Sequence, residues 1–93
     1  MSEYTQVVKP IQRALNALEE CKCFNVHGNA FIEVGTPDIV GCYRGKTFVF
    51  ECKLPGEKPT KIQSYRLQEW GESGAITAVV CNVEDAIRAL TLY

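Results

Sequence analysis

The sequence has 93 residues and a formal net charge of −1, with 46% apolar and 23% charged residues. This length indicates one domain, residues 1–93, with a core small enough that burial against a second copy would add stability. No apolar run approaches the roughly 20 residues of a membrane span, and the start MSEYTQVVKP lacks the pattern of a secretory signal. We therefore expect a cytoplasmic protein that does not enter membranes.

The cysteines predict neither a disulfide framework nor a zinc site. Their number is odd, and their spacing lacks the paired CxxC pattern of structural zinc. We expect five free thiols. Three of them, Cys42, Cys52 and Cys81, lie in apolar runs and are expected to be buried as small hydrophobic residues.

The first third of the chain predicts a helix and then a strand. Residues 3–21 have apolar side chains at helical spacing, and Pro10 either kinks this helix or begins its main part. Residues 23–27 favour a short strand. A loop that contains several glycines and Pro37 follows.

Two strands, residues 38–43 and 47–53, are predicted to form a hairpin through Arg44-Gly45-Lys46. With that three-residue connection, Tyr43 lies opposite Thr47 and Ile39 lies opposite Glu51. Asp38 and Glu51 then become neighbours within about one residue of register.

The last third predicts a helix, a strand and a helix. Thr60-Lys61-Ile62-Gln63 is a capping-box pattern that opens a helix through about Glu72. Residues 76–81 are nearly all apolar and predict a buried strand, reached by a right-handed parallel crossover. Asn82 caps the final helix. The order α-β-β-β-α-β-α gives an α/β fold, a mixed sheet flanked by helices.

Residues 44–66 are basic although the whole chain is not. They contain six lysines and arginines against two glutamates, and the remainder is acidic. Such a surface is often only a solvated face, but it is also what binds phosphates. The candidate contacts to DNA in this segment are Arg44, Lys46, Lys58, Lys61 and Arg66.

The hairpin ends carry the residues that phosphodiester hydrolysis needs. Mg²⁺ prefers carboxylate oxygens and keeps several waters, so Asp38 and Glu51 are candidate ligands, together with the main-chain carbonyl of Cys52. Strand alternation places Lys53 on the same face as Glu51, where it can position water or stabilise negative charge. The alternative is a turn residue at Asp38 and an exposed Glu51–Lys53 pair. Apolar neighbours on both sides argue for burial instead.

Residues 35–42, GTPDIVGC, are followed by Phe50-Glu51-Cys52-Lys53. Together they resemble the Pro-Asp and (Asp/Glu)-x-Lys signature of the PD-(D/E)xK nuclease superfamily. Further motifs occur in chain order at His27-Gly28-Asn29, Pro55-Gly56, residues 59–63 and residues 82–86. With these motifs, most of the chain resembles the VRR-NUC family, of the stand-alone type found in phages and bacteria.

This resemblance implies a restriction-endonuclease-like fold with a four-stranded mixed sheet. It implies that Asp38 and Glu51 bind metal and that Lys53 is catalytic. Gln63 matches a motif glutamine, although the capping box is an equal alternative for its side chain. His27 lies beside the site, where substrate contact or loop hydrogen bonding is favoured over a general-base role.

Family members often carry a further glutamate on the first helix. Gln12 stands near the expected position, and the acidic candidates are Glu3, Glu19 and Glu20. Their register is open at this point, and without this acid a second metal site would be weaker.

The expected function is a DNA endonuclease that uses Mg²⁺ or Mn²⁺. The resemblance implies a homodimer that cuts branched DNA, similar to Holliday-junction resolvases, because a symmetric pair puts two sites on one substrate. One alternative is a DNA-binding module of the same fold without cleavage activity. Another is a metal-binding or structural protein, which would show no salt-dependent affinity for DNA.

Overall fold

The structure, a computed structural model, describes residues 2–26 and 32–92. In chain order the elements are a π-helix Tyr4–Val8, α1 Lys9–Asn16, β1 Cys21–Asn25, β2 Ile39–Tyr43, β3 Lys46–Cys52, α2 Lys61–Glu72, β4 Ile76–Val80 and α3 Val83–Thr91. The predicted element order and the mixed four-stranded sheet flanked by helices are confirmed. Within the described ranges, no helix has both the length and the apolar character needed to cross a membrane.

Pro10 begins the main part of the first helix, which is one of the two predicted alternatives. α1 starts at Lys9, whose N–H donates to the carbonyl of Tyr4 five residues earlier, as in a π-helix. Proline has no N–H to donate to the carbonyl four residues before it, and its ring crowds that carbonyl. The wide turn before Pro10 accommodates both effects.

The first helix ends at Asn16, so the prediction that it reaches Cys21 is wrong. Instead, the Asn16 side chain donates from Nδ2 to the Cys23 carbonyl at 3.1 Å and accepts from the Cys23 N–H at 2.8 Å. This amide pairs with the outer edge of β1 much as another strand would. β1 consequently begins at Cys21, two residues before the predicted start.

The strands lie in the order β1-β2-β3-β4. The first two pairings are antiparallel and the β3–β4 pairing is parallel, as the helical crossover predicts. The hairpin turn has two residues, Arg44 and Gly45, with φ of 50° and 82°. Such turns match the twist of the strands, and Tyr43 therefore pairs with Lys46. The predicted pairing of Tyr43 with Thr47 is wrong by one residue.

The sheet has two unlike faces, which we call the core face and the site face. The core face carries Ile39, Phe48 and Phe50, which pack in one hydrophobic cluster with residues of the π-helix, α1 and α3. The site face carries the alternate residues and is covered by α2 over β3 and β4. Val49 on that face is completely buried, and Leu67 of α2 is buried too.

All five cysteines are free thiols, as predicted, but their burial differs from the prediction. Cys52 is buried and Cys81 is half-buried, whereas Cys42 is exposed. Cys42 lies on the site face of β2, away from the strands that α2 covers. An apolar run therefore did not imply burial at this position.

Candidate metal centre

The hairpin places Asp38 across from Glu51. Ile39 pairs with Phe50, so the next step outward sets Asp38 opposite Glu51 and on the same face of the sheet. Asp38 Oδ2 accepts a hydrogen bond of 2.8 Å from the Cys52 N–H. The Asp38 carbonyl accepts one from the Val26 N–H, also at 2.8 Å. The side chain is thus held beside the end of β3.

Glu51 is buried although it carries a carboxylate. It is 1% exposed, and it is the one charged side chain that is buried among the described residues. Lys53 Nζ lies 3.8 Å from Glu51 Oε2. Glu51 Oε1 has no hydrogen-bond partner in the described part of the chain. A buried carboxylate oxygen without a donor is energetically costly and indicates a missing cation or proton.

The surroundings of Glu51 favour its protonated form. Burial raises the pKa of Glu51 to about 8, and the charge of Asp38 and its hydrogen bond with Glu51 act in the same direction. The ammonium group of Lys53 opposes them and lowers this pKa. When both acids are ionised, one nearby lysine leaves a surplus of negative charge, which is the electrostatic setting of a divalent cation.

Cys52 presents its main chain to Asp38, while its side chain packs in the hydrophobic cluster of the core face. In an extended strand, the N–H and the carbonyl of one residue point to the same side. The Cys52 N–H points toward Asp38, so its carbonyl points to that side too. Burial raises the pKa of the Cys52 thiol well above its usual range, so this group stays neutral and unreactive.

Glu3 is an acid of the first helical segment whose charge interacts with Lys53 and Asp38. Burial raises its pKa, the charge of Lys53 lowers it, and the charges of Asp38 and Glu57 raise it. Glu20 instead pairs with Arg44 at 3.7 Å near the hairpin turn. Glu3 precedes Val7 by four residues, and the same spacing separates Val7, Ile11 and Leu15, which are all buried. This continuation of the buried stripe was a signal in the sequence that favoured Glu3.

The donor set fits a hard divalent cation that keeps part of its water shell. Within residues 2–26 and 32–92, no three His, Cys, Asp or Glu side chains converge as metal ligands. The candidate ligands are therefore two carboxylates and one main-chain oxygen, a set of protein ligands that is usual for Mg²⁺. The same set is too poor in nitrogen and sulfur for a zinc site.

Gln63 occupies the capping box that the sequence predicted. Its Oε1 accepts a hydrogen bond of 2.9 Å from the Thr60 N–H, and its own N–H donates to Thr60 Oγ1 at 3.3 Å. The side-chain oxygen is therefore already used at the start of α2. A catalytic role for Gln63 stays a prediction.

The structure separates the basic residues into groups. Arg44 and Lys46 lie at the turn, which β3 separates from Cys52 by about 20 Å at the usual rise per residue. Lys58 and Lys61 are exposed on the segment that follows Lys53 and leads into α2. Only this second pair is close in sequence to the metal centre.

Arg66 holds α2 against the loop before β2. Its guanidinium lies 2.8 Å from Glu69 and 3.7 Å from Glu33, and it donates to the Val34 carbonyl at 3.1 Å. Contact with DNA stays a prediction for this residue. His27 lies outside the described residues, and its role also stays a prediction.

A comparison of the whole sequence with known protein families gives no matching family model.

Proposed function

We propose that this protein is a nuclease that hydrolyses phosphodiester bonds with Mg²⁺ or Mn²⁺ bound by Asp38, Glu51 and the carbonyl of Cys52. The observation that carries the proposal is Glu51. Its carboxylate is buried beside a second carboxylate, one of its oxygens has no hydrogen-bond donor, and a single lysine faces it. Buried charge of this kind lowers stability, so its presence points to a function.

A bound cation supplies neutralisation of phosphate charge and a lower pKa for coordinated water. The protein must first release the proton of Glu51 to solvent, because metal binding requires the ionised carboxylate. Asp38 is kept in place by the Cys52 N–H. Lys53 is 12% exposed beside Glu51, where its ammonium group stabilises the negative charge that develops on the phosphate oxygens.

The finer proposal is a DNA endonuclease of the VRR-NUC type, with a restriction-endonuclease-like fold. Its support is the order of motifs around residues 35–42 and 50–53 together with the mixed sheet. Lys58 and Lys61 are proposed to contact the DNA backbone near the cut, and Arg44 and Lys46 to contact it farther away. A homodimer acting on branched DNA completes the proposal.

The test is cleavage of linear, flapped and four-way DNA with Mg²⁺, with Mn²⁺ and with chelator. We expect cleavage only with metal and most strongly on the branched substrates. Asp38→Asn should abolish cleavage. Glu20→Gln is the matched control, because this acid pairs with Arg44 at the opposite end of the hairpin and should leave cleavage unchanged.

Mass measurement in solution tests the dimer in the same preparations. Metal-dependent cleavage that persists in Asp38→Asn would show that this site is not the active site. Salt-dependent DNA binding without cleavage in either metal would instead support the binding module of the same fold.

A further inference from the structure

Half of the site face is open to solvent. α2 packs over β3 and β4, while Lys22 and Phe24 of β1 and Cys42 of β2 remain exposed. Phe24 is 59% exposed, a large fraction for an aromatic side chain in the middle of a strand. We call Lys22, Phe24, Val40 and Cys42 the open strand surface. The opposite face of the same two strands is buried at Cys23 and Ile39.

The open strand surface leads to Asp38. Phe24 pairs with Val40, and the next pairs along β1 and β2 bring Val26 beside Asp38. Phe24 and Asp38 are therefore diagonal neighbours on one face, about 7–8 Å apart at the backbone. One nucleotide can span this distance. A cleft of about 370 Å³, lined partly by Val26, Thr36 and Asp38, lies beside Asp38.

The chemistry of the open strand surface suits a nucleic-acid strand better than a protein. Its side chains are one aromatic ring, the smaller Val40 and Cys42 beside it, and one lysine on the same strand and face, so its apolar part is small and is bordered by a positive charge. An exposed aromatic residue that alternates with a cation on a strand is the arrangement on which unpaired bases stack. A stable protein interface involves about 20–30 residues on each partner, many more than the four of this surface.

We propose that the open strand surface binds unpaired nucleotides, with the Phe24 ring stacked on one base and Lys22 on the backbone phosphate. This inference rests on the proposed nuclease function and names its substrate class. The bases of an intact duplex are stacked inside the helix and cannot present a face to Phe24. The enzyme thus selects DNA with unpaired bases next to the phosphate that reaches Asp38.

Binding is measured by fluorescence anisotropy with a labelled oligodeoxythymidylate strand in chelator, so that no cleavage occurs. Phe24→Ala should weaken binding by about tenfold, the usual loss for one stacked base. Phe24→Leu should weaken it similarly, since leucine keeps apolar area without an aromatic face. Phe24→Trp should preserve binding. Tyr65→Ala is the matched control, because Tyr65 is 54% exposed on α2 and should be neutral.

Cleavage gives the second measurement. With Mg²⁺, Phe24→Ala should lose about tenfold in kcat/KM on flapped DNA and little on any residual cleavage of blunt duplex. Phe24→Leu binding as tightly as the natural protein would overturn the stacking proposal. Equal weakening on flapped and blunt DNA would overturn it too.

The nuclease proposal and the nucleotide-binding proposal can fail independently of each other. If the natural protein cuts no DNA with either metal, the nuclease proposal fails, while oligonucleotide binding in chelator still decides for or against the open strand surface. Thermal unfolding of each variant verifies that the fold is kept. This is expected, because the Phe24 side chain lies outside the core cluster.

Discussion

Phe50 and Glu51 are neighbours on β3 and both are buried, yet they face opposite surroundings. Phe50 packs against Phe48, with ring centroids 4.9 Å apart, in the cluster that holds the fold together. Glu51 faces Asp38 and Lys53 and has one oxygen without a hydrogen-bond donor. Burial of the Phe50 ring on the core face stabilises the protein, whereas burial of the Glu51 carboxylate on the site face costs stability. Because successive side chains of a strand point to opposite faces, β3 gives one set of residues to the core and the alternate set to the candidate site.

Glu51→Gln should have the largest effect, because it changes both the chemistry and the stability of the site face. Loss of the carboxylate removes a proposed metal ligand, and we expect metal-dependent cleavage to fall by at least about a hundredfold. The same change should raise the free energy of unfolding in chelator at pH 8, because a neutral amide replaces a buried acid. Cleavage assays and denaturant unfolding measure the two effects. Lower stability together with unchanged cleavage would contradict the assignment of Glu51.

The pH dependence of stability in chelator follows from the raised pKa of Glu51. The folded protein keeps this proton up to about pH 8, whereas the unfolded chain loses it near 4.5. Between these values the folded state binds more protons, so stability should fall as the pH rises, by on the order of a few kcal/mol. Glu3 acts in the same direction.

Unfolding measured from pH 5 to pH 8 checks this expectation, with Glu51→Gln as the matched control. The decline should be much smaller in the control. Added Mg²⁺ should restore stability at pH 8, where the carboxylate can bind it. A flat profile in the natural protein would mean that Glu51 is not held protonated.

Glu3→Gln should weaken the centre less than loss of Glu51. Its charge influences Asp38 and Lys53 from the start of the first helical segment, and we expect cleavage to fall by about 10–100-fold. The loss should be partly rescued by higher metal concentration. Glu19→Gln provides the comparison and should be neutral. Equal cleavage by the two variants would leave Glu3 outside the functional centre.

Gly41→Ala should affect stability and leave the metal centre intact. A Cβ atom at Gly41 would lie 2.5 Å from the Lys22 carbonyl and 2.5 Å from Phe48 Cζ, on the core face. We expect a loss of about 1–3 kcal/mol in the free energy of unfolding. Gly71→Ala is the control, since its Cβ would meet Thr77 at an ordinary 3.6 Å in a helix. Cleavage per folded molecule should be unchanged in both variants.

Much of the fold could be predicted because local signals agree with it. The element order followed from hydrophobic periodicity, and the caps at Thr60 and Asn82 lie where the sequence placed them. The end of α1 could not be predicted in the same way. It depends on the Asn16 side chain pairing with β1, a contact between segments that helical periodicity does not report.

The candidate site was predictable to the extent that it depends on one hairpin. Asp38, Glu51 and Lys53 come together because the strands pair closely, and a one-residue error in register did not separate them. Glu3 was left among three acids because its position depends on the wide turn before Pro10. The exposure of Phe24 depends on which strands α2 covers, and this is a property of packing between segments.

Gln63→Ala has the smallest expected effect and tests whether Gln63 serves only the start of α2 or also the chemistry. Loss of its side chain removes one hydrogen bond of the capping box, and we expect a decrease of about 0.3–1.5 kcal/mol in the free energy of unfolding. Thr60→Ala removes the partner bond of the same box and should have a similar effect. Because Gln63 Oε1 already accepts from the Thr60 N–H, the two variants should also have similar cleavage activity.

The decisive measurement is kcat/KM for the two variants at a temperature where both are fully folded. A much larger loss in Gln63→Ala than in Thr60→Ala would mean that the amide acts on substrate as well as on the helix end. Gln63→Glu sharpens the comparison, since glutamate also completes a capping box and should restore stability. Its added negative charge would disturb a nearby phosphate but not a purely structural cap. Equal cleavage by Gln63→Glu and the natural protein would therefore assign this residue to the start of α2 alone.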